Sequence, residues 1–245
     1  MELGLTGKRV LLTGGTRGIG RATALALAAE GASVIACHRN TGEAAASLTL
    51  RLKELGDSND VVRADVTDQG EVTRLLDRVR VSFGGLDVLV NNVGVDGGVP
   101  FGDLAEPEWH RVLDHNVTAA YLVTRAALGL LADGASVINI GSSVALRGRV
   151  NGVHYTASKA ALIGLTRALC KELGPRRIRV NTVSPGLTET EPGARLPAEA
   201  VQRIVGMTAL GRICQPADVA NAAVFLAADA ASYISGVTLN VDGGV

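Results

Sequence analysis

Short runs of Val, Ile and Leu recur at residues 9–12, 33–37, 60–63, 88–90, 136–140, 179–183 and 237–241, and longer Ala- and Leu-rich segments with a helical apolar period lie between them. The short runs are apolar throughout rather than alternating with polar residues, which is the pattern of strands covered on both faces. The periodic segments predict helices over 19–30, 42–55, 70–83, 107–131, 153–173 and 217–227. Strands that alternate with helices build a parallel sheet, because each return to the same strand direction needs a crossover. The expected fold is an α/β, doubly wound, parallel seven-stranded sheet with helices on both faces. At 245 residues it fits one domain, residues 1–245, with no linker or repeat to divide it. One long irregular stretch, 186–210, is rich in Thr, Pro and Gly and is the candidate substrate loop.

Charge and cysteine usage narrow the partner. Lys and Arg total 24, as do Asp and Glu. No basic cluster is long enough to follow a phosphate backbone or an anionic membrane, so the expected partner is a small molecule, with neither nucleic acid nor membrane. Cys37, Cys170 and Cys214 are widely spaced and odd in number, which suits reduced, packed thiols. The N-terminal residues lack a basic-then-apolar leader, and no apolar run approaches the ~20 residues that cross a bilayer, so a cytoplasmic location is expected. His38, His110, His115 and His154 show no metal-ligand spacing, and no metal is predicted.

The first strand runs into Thr13-Gly14-Gly15-Thr16-Arg17-Gly18-Ile19-Gly20 and then an Ala-rich helix. In that context Gly14 permits the turn, Gly18 lets backbone N–H groups approach a pyrophosphate, and Gly20 lets the helix lie close to the sheet, with Thr16, Arg17 and Ile19 completing a Rossmann-like cradle. A glycine turn that binds no nucleotide also fits these residues taken alone. The second strand ends in Cys37-His38-Arg39-Asn40, where an NAD-binding chain would place a carboxylate. Arg39 and Arg17 instead suit the 2′-phosphate of NADP(H), although both also fit ordinary surface charge. Asp65 and Val66 after the third strand, and Asn92 and Gly94 after the fourth, lie where strand ends border such a crevice.

Tyr155 and Lys159 are four residues apart on a predicted helix and so share one face. A neighbouring ammonium favours the phenolate and brings a tyrosine, whose ordinary pKa is near ~10, towards working pH. Tyr155 is then the expected proton donor to a carbonyl that accepts hydride, Ser142 a hydrogen-bond donor to the same oxygen, and Asn116 the holder of a water linking Lys159 to solvent. The Tyr–Lys spacing alone also fits an amphipathic surface pair. Arg147 and Arg149 suit either an anionic substrate or a solvated loop, His154 is a candidate pocket residue, and Trp109 and Phe101 read as packing anchors.

Taken in order, Thr13–Gly20, Asn91-Asn92-Val93-Gly94, Asn116, Ser142, Tyr155/Lys159 and Pro185-Gly186 resemble the motif series of the short-chain dehydrogenase/reductase family, over essentially the whole chain. The resemblance favours Ser142, thirteen residues before Tyr155, over Ser143, and places Thr188 at the nicotinamide carboxamide beside Pro185 and Gly186. Val93 departs from the family's usual Ala. The C-terminal pattern is similar to 3-oxoacyl-[acyl-carrier-protein] reductases and polyketide ketoreductases, which implies NADPH-dependent reduction of a ketone, carrier-bound or free, by a homotetramer. The residues 130–134 lack the basic character that meets an acidic carrier, leaving Arg176 and Arg177 as candidates for that contact. The alternatives are an NADP-dependent sugar, polyol or steroid alcohol dehydrogenase, and a non-catalytic NADP-binding redox sensor.

Overall fold

The computed structural model describes residues 3–40, 42–190 and 198–245. Its strands are β1 (Arg9–Thr13), β2 (Ser33–His38), β3 (Asp60–Arg63), β4 (Leu86–Asn91), β5 (Leu131–Ile140), β6 (Arg179–Pro185) and β7 (Thr238–Val241). They form one sheet in the order β3-β2-β1-β4-β5-β6-β7, parallel at every pairing. The helices are α1 (Gly18–Ala29), α2 (Glu43–Leu55), α3 (Gln69–Phe83), α4 (Glu106–Leu113), α5 (Ala119–Ala127), α6 (Val144–Arg147), α7 (Val153–Glu172), α8 (Ala198–Met207) and α9 (Pro216–Ala227). No described helix is long and apolar enough to cross a membrane.

The apolar strands separate two cores. Val10, Leu12, Val34 and Ala36 pack with Leu27 of α1, Leu48 and Leu52 of α2 and Val219 and Ala223 of α9. The alternate positions Leu11, Ile35 and Cys37 face the other way, onto Leu75, Leu76 and Val79 of α3 and Ala119 and Val123 of α5. Neighbouring residues of one strand are thus buried on opposite faces, which is why the runs carry no polar alternation. Each fully buried Leu or Ile stabilises the fold by about 1.5–3 kcal/mol relative to an exposed one.

Two expectations change. The predicted helix 107–131 is broken by a π-helical turn, Asp114–Thr118, and ends at Ala127. Leu131 belongs instead to β5, where it pairs with Leu86 before the register shifts to Val88 and Ser136. Arg176 secures this turn: it donates to the Leu128 carbonyl (3.0 Å), to the Leu131 carbonyl and to Asp133 (3.0 Å). The second change lies in 186–210, which contains helix α8; residues 191–197 of that stretch are outside the described ones. Val201, Ile204 and Val205 carry a helical apolar spacing that the Thr, Pro and Gly content upstream obscures.

Candidate active site

Strand order reverses between β1 and β4, since β1 has β2 on one side and β4 on the other, and a crevice opens beyond the strand ends at such a point. The Gly14 turn fills it. Gly14 has φ +69°, and Gly15 N–H donates to the Cys37 carbonyl at 2.9 Å. A Cβ on Gly20 would stand 2.1 Å from the Gly14 carbonyl oxygen, so α1 reaches the turn only as glycine. Asn92 locks the arrangement by donating from Nδ2 to the carbonyls of Thr13 (3.0 Å) and Gly14 (2.9 Å), while Thr13 Oγ1 accepts from Asn92 N–H (3.0 Å) and Val93 N–H (3.2 Å). Asn92 therefore shapes the cradle with its side chain. Helix α1 begins with Arg17 at the N-cap, has no side-chain cap bond and no acidic residue in its first turn. The N–H groups of its first turn and its positive dipole end suit a phosphate. Thr16 and Ile19 are partly buried on either side of Arg17.

The segment after β6 folds back over this turn. A Cβ on Gly18 (φ +48°) would lie 2.9 Å from Thr190 Cβ. Pro185 ends β6, Gly186 N–H donates to the Val241 carbonyl (2.9 Å), and Thr188 Oγ1 donates to the Gly186 carbonyl (3.0 Å). At the other side of the crevice His38 is buried and its Nδ1 bonds the Asn40 carbonyl at 2.8 Å, so the ring fastens its own turn. Arg39 Nη1 lies 3.0 Å from His115 Nε2 and 3.9 Å from the Asp65 carboxylate. Burial pushes the Asp65 carboxyl up, but hydrogen bonds from Thr67 and the charges of Arg39 and His115 outweigh it and hold Asp65 below the usual range. Val66 beside it is buried.

Beyond the ends of β4 and β5, the catalytic candidates converge. Ser142 follows β5, is 8% exposed, and lies near enough to Tyr155 to lower its pKa. Lys159 Nζ donates to the Ile140 carbonyl at 3.0 Å and lies 5.8 Å from the Tyr155 ring centroid. A Cβ on Gly94 would meet that Nζ at 3.1 Å, which accounts for glycine there. Asn116 sits in the π-helical turn with its side chain committed: Oδ1 accepts from Val95 N–H (2.7 Å) and Nδ2 donates to the Val95 carbonyl (3.1 Å) and Ser158 Oγ (2.9 Å). A water at this position would rest on the backbone of the turn, whose wider ring disrupts the regular ladder.

The electrostatics differ from the expectation that Lys159 draws the phenol down. Burial raises Tyr155 above its ordinary pKa, against the lowering effects of Ser142 and Arg149, and Asp96 raises it further. Burial likewise lowers Lys159 to about 8, with Asp96 opposing. Both groups are desolvated, and desolvation favours the neutral form of each.

Two features were not legible in the sequence. Asp96, in the loop after β4, takes a two-pronged ion pair from Arg149 at 2.6 and 3.1 Å, and the Arg149 guanidinium lies 4.9 Å from the Tyr155 ring centroid. No local signal pairs residues 53 apart. Ser158 bridges the Tyr155 carbonyl and the Asn116 amide, and only its position on the helical face between Tyr155 and Lys159 hints at this. His154 is fully buried, with Nε2 3.6 Å from Glu108, and does not line an open pocket. A cavity of about 430 Å³ under Asp242–Gly244, Arg212 and Leu210 contains none of Asn116, Ser142, Tyr155 and Lys159 in its lining. Among the described residues no His, Cys, Asp and Glu group could hold a metal.

Comparison with known proteins agrees with this layout. A family model described as enoyl-(acyl carrier protein) reductase matches residues 14–245. A 3alpha-hydroxysteroid dehydrogenase of Mediterraneibacter gnavus is 37% identical over 99% of this chain and 98% of its own length. A 3-oxoacyl-[acyl-carrier-protein] reductase of Thermotoga maritima is 36% identical over 98% of each chain. A short-chain dehydrogenase of Burkholderia cenocepacia, solved in complex with NADP, superposes with a TM-score of 0.92 at 38% identity and 98% coverage of both chains. The chain belongs to the short-chain dehydrogenase/reductase family of oxidoreductases.

Proposed function

We propose that this protein reduces a ketone to an alcohol with NADPH, Tyr155 supplying the proton. The observation that carries the reading is the meeting of Ser142, Tyr155 and Lys159 beyond β5, beside a glycine cradle that no larger residue at position 20 could form. The residues suit a dinucleotide: the Gly14–Gly20 turn and the N-terminus of α1 would hold the pyrophosphate, Asp65 and Val66 the adenine, and Gly94, Pro185, Gly186 and Thr188 the nicotinamide side. Lys159 spends one of its three donors on the Ile140 carbonyl, leaving two for ribose hydroxyls. Arg17 and Arg39, with no carboxylate at the end of β2, favour the 2′-phosphate of NADP(H), and the solved Burkholderia relative contains NADP.

When bound, the cofactor supplies hydride to the carbonyl carbon. Tyr155 gives its phenolic proton to the oxygen as negative charge develops there, and Ser142 hydrogen-bonds the same oxygen. The phenolate left behind lies in the field of Lys159, 5.8 Å from the ring centroid. In the oxidative direction the same groups act in reverse, with Tyr155 as base.

The substrate we infer is a ketone with an apolar body. Leu146, Val150 and Val153 are exposed on the segment that joins Ser142 to Tyr155, a rim suited to an acyl chain or ring system rather than a polyol. Arg176 binds its own turn, which leaves Arg177 as the candidate contact for a carrier protein. A hydroxysteroid-type alcohol oxidised in the reverse sense is the second reading, favoured by the steroid-dehydrogenase relative. We also infer a homotetramer, since Phe225, Tyr233 and Val237 expose apolar surface near the edge strand β7.

The test is nicotinamide absorbance with NADPH and NADH in parallel against β-ketoacyl thioesters, cyclic ketones and oxosteroids. Turnover with NADPH that Tyr155→Phe reduces by about 10²–10⁴-fold is the expected result. Cofactor binding without turnover of any ketone or alcohol would overturn it in favour of a redox sensor.

A further inference from the structure

The wall over Tyr155 is made of two loops that meet through one ion pair. Asp96 lies in the loop after β4 and Arg149 in the loop leading into α7. Arg149 Nη2 donates to Asp96 Oδ1 at 2.6 Å and to the Gly97 carbonyl at 2.7 Å, and Nη1 donates to Asp96 Oδ2 at 3.1 Å. Asp96 Oδ1 also accepts from Gly97 N–H at 2.7 Å within its own loop, and Val99 N–H donates to the Asn151 carbonyl at 2.7 Å, so with the three bonds from Arg149 the loops are joined by four hydrogen bonds. Two glycines permit this approach. A Cβ on Gly152 would stand 2.6 Å from Arg149 Nε, and one on Gly97 would stand 2.1 Å from His154 Nε2.

The guanidinium so fixed lies with its Cζ 4.9 Å from the centroid of the Tyr155 ring, within the range of a cation–π contact. Among the described residues the acceptors of the Arg149 guanidinium are Asp96 and Gly97. We propose that Arg149 and Asp96 are an opposed pair of positioning residues for the proton transfer, Arg149 favouring the Tyr155 phenolate and Asp96 restraining it. The inference rests on the reading of Tyr155 as the proton donor. Its electrostatic part is nonetheless measurable without turnover.

The remaining polar groups around Tyr155 among the described residues are accounted for. Lys159 on α7 lies 5.8 Å from the ring centroid and bonds the Ile140 carbonyl. Ser142 after β5 acts on the phenol in the lowering direction. Ser158 and Asn116 bond each other and the Tyr155 and Val95 carbonyls. His154, the preceding residue, sits against Gly97 and Glu108 of α4, and Glu108 is itself taken by Arg111 at 2.6 Å. Arg149 is thus the cation that Asp96 directly counterbalances, and altering either member exposes the ring to the charge of the other.

This gives a signature that a merely mechanical staple lacks. Arg149→Met and Asp96→Asn break the same ion pair, so if the pair only holds the loops together the two variants should behave alike. If the charges act on Tyr155, the effects have opposite signs. Arg149→Met leaves a carboxylate facing the ring and should move the Tyr155 titration up by about one pH unit, whereas Asp96→Asn leaves a cation and should move it down by a similar amount. The double variant should return close to the parent, and Arg149→Lys should recover part of the loss.

The readout is NMR of protein labelled with ¹³Cζ-tyrosine. Only Tyr121, Tyr155 and Tyr233 contribute, and Tyr155→Phe assigns the resonance of interest. Circular dichroism at each pH defines the folded range. Opposite displacements of the Tyr155 midpoint, mirrored in the pH profile of kcat for any ketone that turns over, support the proposal. Displacements of the same sign, none at all, or an Asp96→Asn resonance that fails to titrate before folded structure is lost would overturn it. Because the NMR measurement needs no substrate, a failed ketone panel with opposed shifts would count against the proposed reaction, and turnover with parallel shifts against the opposed pair.

Discussion

Replacing Lys159 with methionine should make the protein more stable at neutral pH while abolishing turnover. The ammonium is buried, bonds the Ile140 carbonyl at 3.0 Å, and has its pKa lowered from 10.5 to about 8 by burial. A basic group with a depressed folded pKa costs stability wherever it must be protonated in both states, below about 8 here, and that cost is relieved as pH rises from about 8 towards 10.5. The slope has the right sign, since the unfolded chain binds more protons in that interval and stability therefore rises with pH. A shift from 10.5 to about 8, at about 1.4 kcal/mol per unit, corresponds to about 3 kcal/mol at pH 7. Methionine matches the length of the stem and has no charge to desolvate, but it leaves the Ile140 carbonyl without its donor, which costs about 1–3 kcal/mol. The expected net gain is about 1 kcal/mol at pH 7. Urea midpoints at pH 7 and pH 10 test this, compared at equal denaturant slope. The gain should vanish or reverse at pH 10, where the wild-type penalty has largely gone. A variant clearly less stable at pH 7, or a difference independent of pH, would refute the reasoning.

Two further outcomes follow from the same geometry. Gly20→Ala places a Cβ 2.1 Å from the Gly14 carbonyl, a backbone atom that cannot swing aside; it should cost about 1–3 kcal/mol of stability and at least about tenfold in NADPH affinity by fluorescence titration, and unchanged binding would show the cradle is not the cofactor site. The exposed Phe225, Tyr233 and Val237 beside edge strand β7 should be covered in a tetramer, which sedimentation at micromolar concentration checks and a monomer would refute.

The layered fold was readable because its cause is local: an apolar run buried on both faces shows in four or five consecutive residues, as at Val10-Leu11-Leu12. The glycine cradle was readable for a related reason, as Gly14 and Gly20 answer to contacts within one turn or with the end of the strand beside it, whereas the contact of Gly18 with Thr190 was not. The break in 107–131 was not. Whether the chain stays helical past Ala127 depends on Leu131 pairing with Leu86 and on Arg176, which comes 45 residues after Leu131. The residue types of the proposed catalytic set were legible, but their electrostatics were not, since helical spacing places Tyr155 and Lys159 on one face without revealing how deeply both are buried. Asn92 and His38 were expected at the cofactor, yet their side chains hold turns of the protein itself.

Two cations lie near the Tyr155 ring, at 4.9 and 5.8 Å from its centroid, and the fold treats them in opposite ways. Lys159 is buried and hydrogen-bonds a neutral carbonyl, and the chain bears the desolvation cost as lost stability. Arg149 is set at the rim with a full carboxylate partner, its side chain 33% exposed and that of Asp96 67% exposed. The pair costs little to keep, and its net effect on the ring is the difference between two opposed charges that solvent and salt can alter. A buried, unpaired charge gives a fixed bias, and a paired rim charge gives a bias that shifts with whatever replaces or competes with one partner. In the proposed mechanism the buried Lys159 is the fixed member, while the exposure of Arg149 and Asp96 leaves their pair open to an approaching substrate.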